Sequence, residues 1–296
     1  MLKEIFHFIL HLRLHYQLFI LSGGYLLGGL MADQMNSTQF WLQFINVHIF
    51  LFGGATAYNS FWDKDEGPIG GLKKPPKMTT WMHRVSLLMM FTGWLWAYSI
   101  STPYFIVFGC SLLLFWLYST PHARWKGDPH LSMIAIAVST GMNSTLLGFW
   151  AAEGAFSLAI LFASLGASFV LLSLYPVSQI YQQEEDQRRG DVTFYGHYGL
   201  RGVKLFFNLS YPAGLSVLCV SLMSILFMPG LFLLITGLGA YLYLLKTVNQ
   251  LEGLEIEYRN VMKIKFIASL SFVLFLLTAN AIKYEWIGHT FLINYF

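Results

Sequence analysis

The sequence predicts an all-α integral membrane protein with nine transmembrane helices. Of its 296 residues, 56% are hydrophobic and only 11% are charged, and the mean hydropathy is +0.55. A soluble domain carries roughly twice this charged fraction, so most of the surface of this chain suits lipid. A spanning helix needs about 20 mainly apolar residues. Nine runs meet this requirement: 16–32, 39–59, 80–100, 103–119, 130–152, 155–176, 203–226, 228–247 and 264–283.

Residues 1–15 precede the first run and mix charged residues and histidines with apolar positions. This pattern is typical of an amphipathic helix that lies at the membrane surface. Arg13 stands where this segment meets the first run. It is either an arginine whose charge snorkels to the interface or a contact for an anion at the mouth of a cavity. We assign residues 1–296 to a single transmembrane domain.

The charged residues lie almost entirely on one side of the predicted bundle. All 18 Lys and Arg residues except Lys283 fall on that side. The positive-inside rule makes this side cytoplasmic, which places the N-terminus there and the C-terminus opposite. All 15 Asp and Glu residues except Asp33, Glu153 and Glu285 share the same side, although the rule does not require acids there. The cytoplasmic face therefore uses both signs of charge.

The first dense group of polar residues follows the second apolar run, at 59–76. Asn59 and Asp63 are four residues apart, so they share one face of a helix. An amide oxygen and a carboxylate can together bind a hard cation such as Mg²⁺. The alternative is a polar loop whose charges are merely solvated. The same stretch adds two further acids and two lysines that could hold an anion: Asp65, Glu66, Lys64 and Lys74.

A second polar stretch, at 175–193, repeats the same spacing. Gln182 and Asp186 are four residues apart, and both stretches follow an even-numbered run on the same side of the bundle. Two such units that face each other could hold Mg²⁺ ions between them. The residues that support the second unit are Gln179, Glu185 and Arg188.

Further basic residues on this side suit the diphosphate half of a metal–diphosphate site, in which each sign of charge neutralises part of one substrate. They lie after the fourth run and at the start of the seventh, and a solvated positive-inside loop would also explain them. Nucleic acid is excluded as a partner, because no basic patch is interleaved with exposed aromatic residues. The residues expected on the diphosphate side are the basic Arg124, Lys126 and Lys204, together with Tyr118.

These stretches resemble the motifs of the UbiA superfamily of intramembrane prenyltransferases, in the same order and along nearly the whole chain. Asn59 and Asp63 match the N-x-x-x-D-x-x-x-D motif of that family, but Gly67 replaces its last acid. Asp186 matches the second aspartate motif, in which Gln182 replaces an acid. The other positions that resemble family motifs are Arg13, Lys64, Lys74, Tyr118, Arg124, Lys126, Gln179, Arg188 and Gly190.

The resemblance implies helices around a central cavity, capped by the loops between helices 2 and 3 and between helices 6 and 7. It implies Mg²⁺-assisted loss of diphosphate from an isoprenyl diphosphate, with Asp63 and Asp186 in the catalytic role. The expected metal ligands are Asn59, Asp63, Asp65, Glu66, Gln182 and Asp186. The expected diphosphate contacts are Arg13, Lys64, Lys74, Tyr118, Arg124, Lys126, Arg188 and Lys204.

The reaction implied by the resemblance is transfer of the prenyl group to an aromatic or other lipophilic acceptor within the membrane. Two alternatives stay open. One is an intramembrane terpene cyclase of the same superfamily, which ionises the same substrate but needs no acceptor. The other is a non-catalytic membrane protein that binds lipid or acts as a scaffold.

Overall fold

The structure is a computed structural model that describes residues 2–286, and its regular elements are helices throughout these residues. The predicted C-terminal location on the opposite side concerns 287–296, which lie outside the described residues. We label the main helices in chain order: α1 (Leu2–Leu12), α2 (14–31), α3 (Ser37–Asp63), α4 (Thr80–Ala97), α5 (Thr102–Ser119), α6 (Pro129–Ala151), α7 (Leu158–Leu174), α8 (Gln183–Arg189), α9 (Phe194–Met223), α10 (Phe227–Asn249) and α11 (Tyr258–Lys283). Short 3₁₀ helices add Trp125–Gly127, Pro176–Gln182 and Glu255–Glu257.

The all-helical membrane architecture predicted from the sequence is confirmed. Within the described residues, seven helices are long and apolar enough to cross a membrane. They are α3, α5, α6, α9, α10, α11 and the continuous segment Leu158–Arg189, which joins α7 to α8. The predicted runs 16–32 and 80–100 form α2 and α4, which are helical but do not belong to these seven. The count of nine spanning helices therefore stays a prediction.

Helix α1 has two different faces. Phe8, His11 and Leu12 are buried against the bundle. The opposite face exposes Leu2 and Phe6, which is the surface that an interfacial helix presents to lipid. The helix ends before Arg13, whose left-handed backbone (φ 50°) turns the chain into α2.

Three helices that surround the central space contain π-helical segments: Gln17–Leu21 in α2, Asn46–Gly53 in α3 and Ala137–Met142 in α6. A π segment widens the helix by about one residue per turn and is found frequently at functional sites. Ile20, Phe52 and Thr140 belong to these segments and line the internal cavity described below. The widened turns therefore shape the wall of that cavity.

Helices α2 and α6 touch backbone to backbone. A Cβ atom on Gly28 would lie 2.0 Å from the carbonyl oxygen of Thr145, and one on Gly148 would lie 1.9 Å from that of Tyr25. Small residues at such crossings let membrane helices approach closely enough for van der Waals packing to hold them. This crossing fixes the wall against which α3 and α7 pack.

We predict that Gly148→Ala destabilises the bundle, because the new methyl group would overlap the backbone of α2. Overpacking of this kind costs about 1–3 kcal/mol. The measurement is the midpoint of thermal unfolding in detergent. Gly239→Ala is the matched control, since no described atom outside its own stretch of helix lies within 4 Å of a Cβ at that position. Equal midpoints for the two variants would contradict the close contact between α2 and α6.

Candidate functional site

The predicted polar stretches meet at one end of the bundle. Asp63 is the last residue of α3, and Lys126 lies in the short 3₁₀ helix after α5. The ammonium nitrogen of Lys126 is 2.6 Å from Oδ2 of Asp63 and 3.7 Å from Oδ1 of Asp186 on α8. The two aspartates that the sequence places in the catalytic role therefore face the same cation.

Arg189 and Asp191, which the sequence analysis did not select, complete this network. The Arg189 guanidinium lies 2.9 Å from the carboxylates of both Asp65 and Asp186. Asp191 accepts two hydrogen bonds of 2.7 Å from Arg124. In the sequence, Arg189 could have been recognised from its i,i+3 spacing to Asp186, which places the two side chains on one helix face.

Four carboxylates thus meet three cations, which leaves one negative charge in excess. We call this group the carboxylate network: Asp63, Asp65, Asp186 and Asp191 with Arg124, Lys126 and Arg189. The side chains of the four acids are only 1–3% exposed. Buried charges of one sign are stable only when they are paired, so an excess carboxylate favours binding of a further cation.

The ion pairs also set the protonation of the groups that lie outside the spanning helices. Burial disfavours the charged form of Lys126, but the carboxylates of Asp63 and its neighbours outweigh burial and raise the pKa of this ammonium above its usual range. The hydrogen bond to Asp191 raises the pKa of Arg124 in the same direction. Burial, aided by the nearby Asp63, raises the pKa of the Asp65 carboxyl. The side chains of Lys126 and Arg124 therefore both remain cationic at physiological pH.

Three of the five non-glycine residues that have a left-handed backbone among the described residues lie at this end of the bundle. Arg13, Lys64 and Arg124 adopt left-handed backbone conformations with φ of 50°, 53° and 41°. Such conformations cost non-glycine residues about 1–2 kcal/mol each, and strained residues cluster at functional sites. Arg13 lies between α1 and α2, Lys64 directly follows α3, and Arg124 directly precedes the 3₁₀ helix Trp125–Gly127.

A cavity of about 210 Å³ opens beside the carboxylate network. Deeper in the bundle it shares Ile20, Thr140 and Leu174 with a mainly apolar chamber of about 280 Å³. The two spaces together offer a charged end and a hydrocarbon-lined end. The predicted site residues that line the charged end are Arg13, Asn59, Asp63, Asp65, Tyr118, Lys126 and Gln182.

The oxygen donors at the charged end suit a hard divalent cation. Asp63 lines this end with a carboxylate, and Asn59 and Gln182 line it with amides. Asp186 is not part of the lining, but its carboxylate lies 3.7 Å from the Lys126 ammonium that also contacts Asp63, which shows that the place between the two carboxylates favours positive charge. Within residues 2–286, no three His, Cys, Asp or Glu side chains are grouped tightly enough to hold a metal alone. Mg²⁺ commonly takes one or two carboxylates and completes its shell with substrate phosphates and water.

The aromatic and amide residues next to the network are held by hydrogen bonds. The hydroxyl groups of Tyr118 and Tyr175 lie 2.9 Å apart. Nδ2 of Asn59 donates to Oγ of Ser119 at 3.2 Å, so the amide is oriented from the neighbouring helix α5. These contacts fix side chains at the boundary between the charged and the apolar part of the cavity.

Several predicted residues lie outside the cavity lining. Lys204 donates to the carbonyl oxygens of Asn249 and Leu251 at 2.8 and 2.7 Å and caps the end of α10. Gln179 accepts a hydrogen bond of 3.0 Å from the Tyr195 amide and holds the start of α9. Asp186 and Arg124 also lie outside the lining, although both belong to the carboxylate network. Four more predicted residues are exposed on the surface: Lys64, Glu66, Lys74 and Arg188.

Glu185 joins the two polar loops rather than lining the cavity. Its Oε1 atom accepts hydrogen bonds from the backbone amides of Glu66 at 3.0 Å and Gly67 at 2.7 Å. These bonds tie the loop after α3 to α8.

We predict that Lys126→Met lowers the free energy of unfolding by about 3–5 kcal/mol, because it leaves the buried Asp63 without its closest cation. The measurement is a denaturant titration in detergent micelles. Lys64→Met is the matched control, since Lys64 is exposed and has the same side chain. A Lys126→Met variant as stable as Lys64→Met would show that the carboxylate network does not stabilise this end of the bundle.

Solved structures of UbiA homologs are similar to this chain over almost its whole length. A UbiA homolog from Archaeoglobus fulgidus bound to GPP and Mg²⁺ has 14% identity and a TM-score of 0.73, with 93% of this chain and 99% of that chain covered. The DMAPP and Mg²⁺ complex of the UbiA homolog from the same organism gives 13% identity and the same TM-score and coverage.

A structure of digeranylgeranylglyceryl phosphate synthase has 17% identity and a TM-score of 0.64, and covers 94% of this chain and 99% of that chain. No protein-family model matches the sequence, and no curated protein matches it. At these identities the likeness lies in the path of the chain. The protein therefore has the fold of the UbiA homologs, as the order and spacing of its motifs predict.

Proposed function

We propose that the protein is a prenyltransferase of the UbiA type. It would cleave an isoprenyl diphosphate in a Mg²⁺-dependent reaction and transfer the prenyl group to an aromatic or other lipophilic acceptor in the membrane. The observation that carries this proposal is the joining of the carboxylate network to an apolar chamber of about 280 Å³. An isoprenyl diphosphate has the same two parts, a multiply charged head and a hydrocarbon tail.

The similar structures support this choice of ligand. UbiA homologs with the same fold are bound to GPP or DMAPP together with Mg²⁺. In this chain Asp63 and Asp186, with Asn59 and Gln182, would hold the metal. Bound there, Mg²⁺ would neutralise the negative charge that gathers on the departing diphosphate.

The basic residues of the network would bind the diphosphate directly. Lys126 and Arg124 keep their positive charges because carboxylates surround them, and charged donors form the stronger hydrogen bonds to phosphate oxygens. The allylic C–O bond breaks with both electrons leaving on the diphosphate. Donors already positioned at that oxygen stabilise the charge as it develops, with little reorganisation.

The apolar chamber would protect the allylic carbocation that remains. Its walls include Leu215, Leu218 and Phe272, which exclude water and so prevent capture of the cation by a water molecule. Aromatic faces also attract positive charge. A π bond of the acceptor would then supply the electron pair for the new carbon–carbon bond, and the acceptor would lose a proton.

We expect Asp63→Asn and Asp186→Asn each to reduce diphosphate release on the order of 100-fold or more, which is the usual cost of removing a preorganised electrostatic group. The measurement is the rate of diphosphate release from farnesyl diphosphate with Mg²⁺ and an extract of membrane lipids as the acceptor source. Asp128→Asn is the control, because Asp128 only caps α6 through the amides of His130 and Leu131 and asparagine caps equally well.

Folding of the aspartate variants is checked by their unfolding midpoints. Full activity in a folded Asp63→Asn variant would exclude the proposed role of the network. Activity lost equally in Asp128→Asn would show that the assay reports a general disturbance of this face.

An assay without acceptor separates the two enzymatic alternatives. We expect purified protein with Mg²⁺ and geranyl, farnesyl or geranylgeranyl diphosphate to leave the substrate largely intact, because the prenyl group lacks its nucleophile. Mass spectrometry of the extracted products is the measurement. A cyclic hydrocarbon or alcohol would instead identify a terpene cyclase. Binding of the diphosphates without turnover, even when a lipid extract is added, would favour a non-catalytic protein.

A further inference from the structure

The charged end of the cavity also contains cations that do not belong to the carboxylate network. Arg13, at the turn between α1 and α2, and Lys265, near the start of α11, both line the cavity. The Lys265 ammonium donates a hydrogen bond of 2.6 Å to the hydroxyl of Tyr16, which also lines it. Neither motif stretch contains Tyr16 or Lys265, so this group is built from the two ends of the chain.

Arg13 and Lys265 differ from the cations of the network because neither of them is paired with a carboxylate. Within residues 2–286, no carboxylate lies within 4.0 Å of Arg13 or Lys265, whereas Lys126 and Arg189 each contact two or more acids. Arg13 and Lys265 therefore carry two positive charges that form no salt bridge among the described residues, and the nearest acid of the lining, Asp65, is already paired with Arg189 at 2.9 Å.

Arg13 is also incompletely satisfied. Its side chain donates one hydrogen bond, of 2.8 Å, to Oγ of Ser60. The residue is 8% exposed, and its Nε atom is buried without a partner among the described residues. A buried guanidinium with a free donor is unfavourable by itself, and an oxyanion in the cavity would satisfy both its charge and its hydrogen bond.

We propose that Tyr16 and Lys265 extend the anion contact expected at Arg13 into an oxyanion-binding wall, with Lys265 as a substrate contact that no motif indicates. The proposal rests on the proposed function for the identity of its ligands. The oxyanion would be a phosphate or carboxylate, either the diphosphate of the prenyl substrate or an acidic group on the acceptor. Tyr16, held by Lys265, offers its hydroxyl hydrogen as an additional donor to the same oxyanion.

The experiment is calorimetric binding to the full-length protein in detergent, which requires no turnover. The probes are inorganic diphosphate with Mg²⁺, benzoate, and glycerol 3-phosphate. The variants are Lys265→Gln, Lys265→Arg and, as matched control, Lys263→Gln, whose exposed side chain lies two residues away on the same helix. Unfolding midpoints verify that each variant is folded.

We expect Lys265→Gln to weaken binding of at least one probe about tenfold, as loss of a charged hydrogen bond predicts. Lys265→Arg should largely restore it, and Lys263→Gln should bind like the unchanged protein. Weaker binding of diphosphate assigns the wall to the prenyl substrate. Weaker binding of benzoate or glycerol 3-phosphate alone assigns it to the acceptor.

Equal affinities of Lys265→Gln and Lys263→Gln for all three probes would overturn the proposal, as would absence of binding of every probe to the unchanged protein. The result is independent of catalysis. A protein that binds an oxyanion through Lys265 but releases no diphosphate from prenyl substrates would retain this inference and lose the proposed function.

Discussion

The rest of the candidate site depends on the pairing of buried carboxylates with cations from other segments. Asp63 ends α3, with its side chain 1% exposed, and its closest cation is Lys126 from the connection after α5. An unpaired charge at this depth would cost several kcal/mol. Lys126 and Arg189 lie 63 and 126 residues after Asp63 in the sequence. The segments that carry them must therefore close over the end of α3 before the helix can bury its aspartate.

The same pairing connects stability with the proposed chemistry. Without a ligand, Arg124, Lys126 and Arg189 offset three of the four negative charges of the acids. Under the proposed function, a metal ion would take over part of this neutralisation and the basic side chains would turn to the diphosphate. Carboxylates and cations then exchange one set of ion pairs for another within a space of low dielectric, where such pairs are strong. The protein would need no large rearrangement to bind a highly charged substrate.

Sequence reasoning recovered the features that follow from local periodicity. The repeated amide–aspartate spacing located Asp63 and Asp186, because residues four apart share a helix face in any helix. From the sequence we selected Arg188, but in the structure Arg189 contacts the carboxylates of Asp65 and Asp186. The rotation of α8 decides which of these two adjacent arginines points inward. Lys265 was beyond the reach of sequence reasoning, because a single lysine at the start of an apolar helix is equally typical of an interfacial anchor. Such choices depend on tertiary packing, which spacing alone does not encode.

The glycine that replaces the last acid of the first motif has a physical explanation in the loops. A Cβ at Gly67 would lie 3.2 Å from Oε1 of Glu185, and the same oxygen accepts the Gly67 amide at 2.7 Å. An aspartate there would bring a second negative charge against Glu185 and would disturb the bond that joins the two loops. Asp65 instead lines the cavity, so within this loop it is the acid positioned to act beside Asp63. Asp65 thus supplies an additional carboxylate to the cavity, and Gly67, at the position of the missing acid, donates its amide to Glu185 and so connects the two loops.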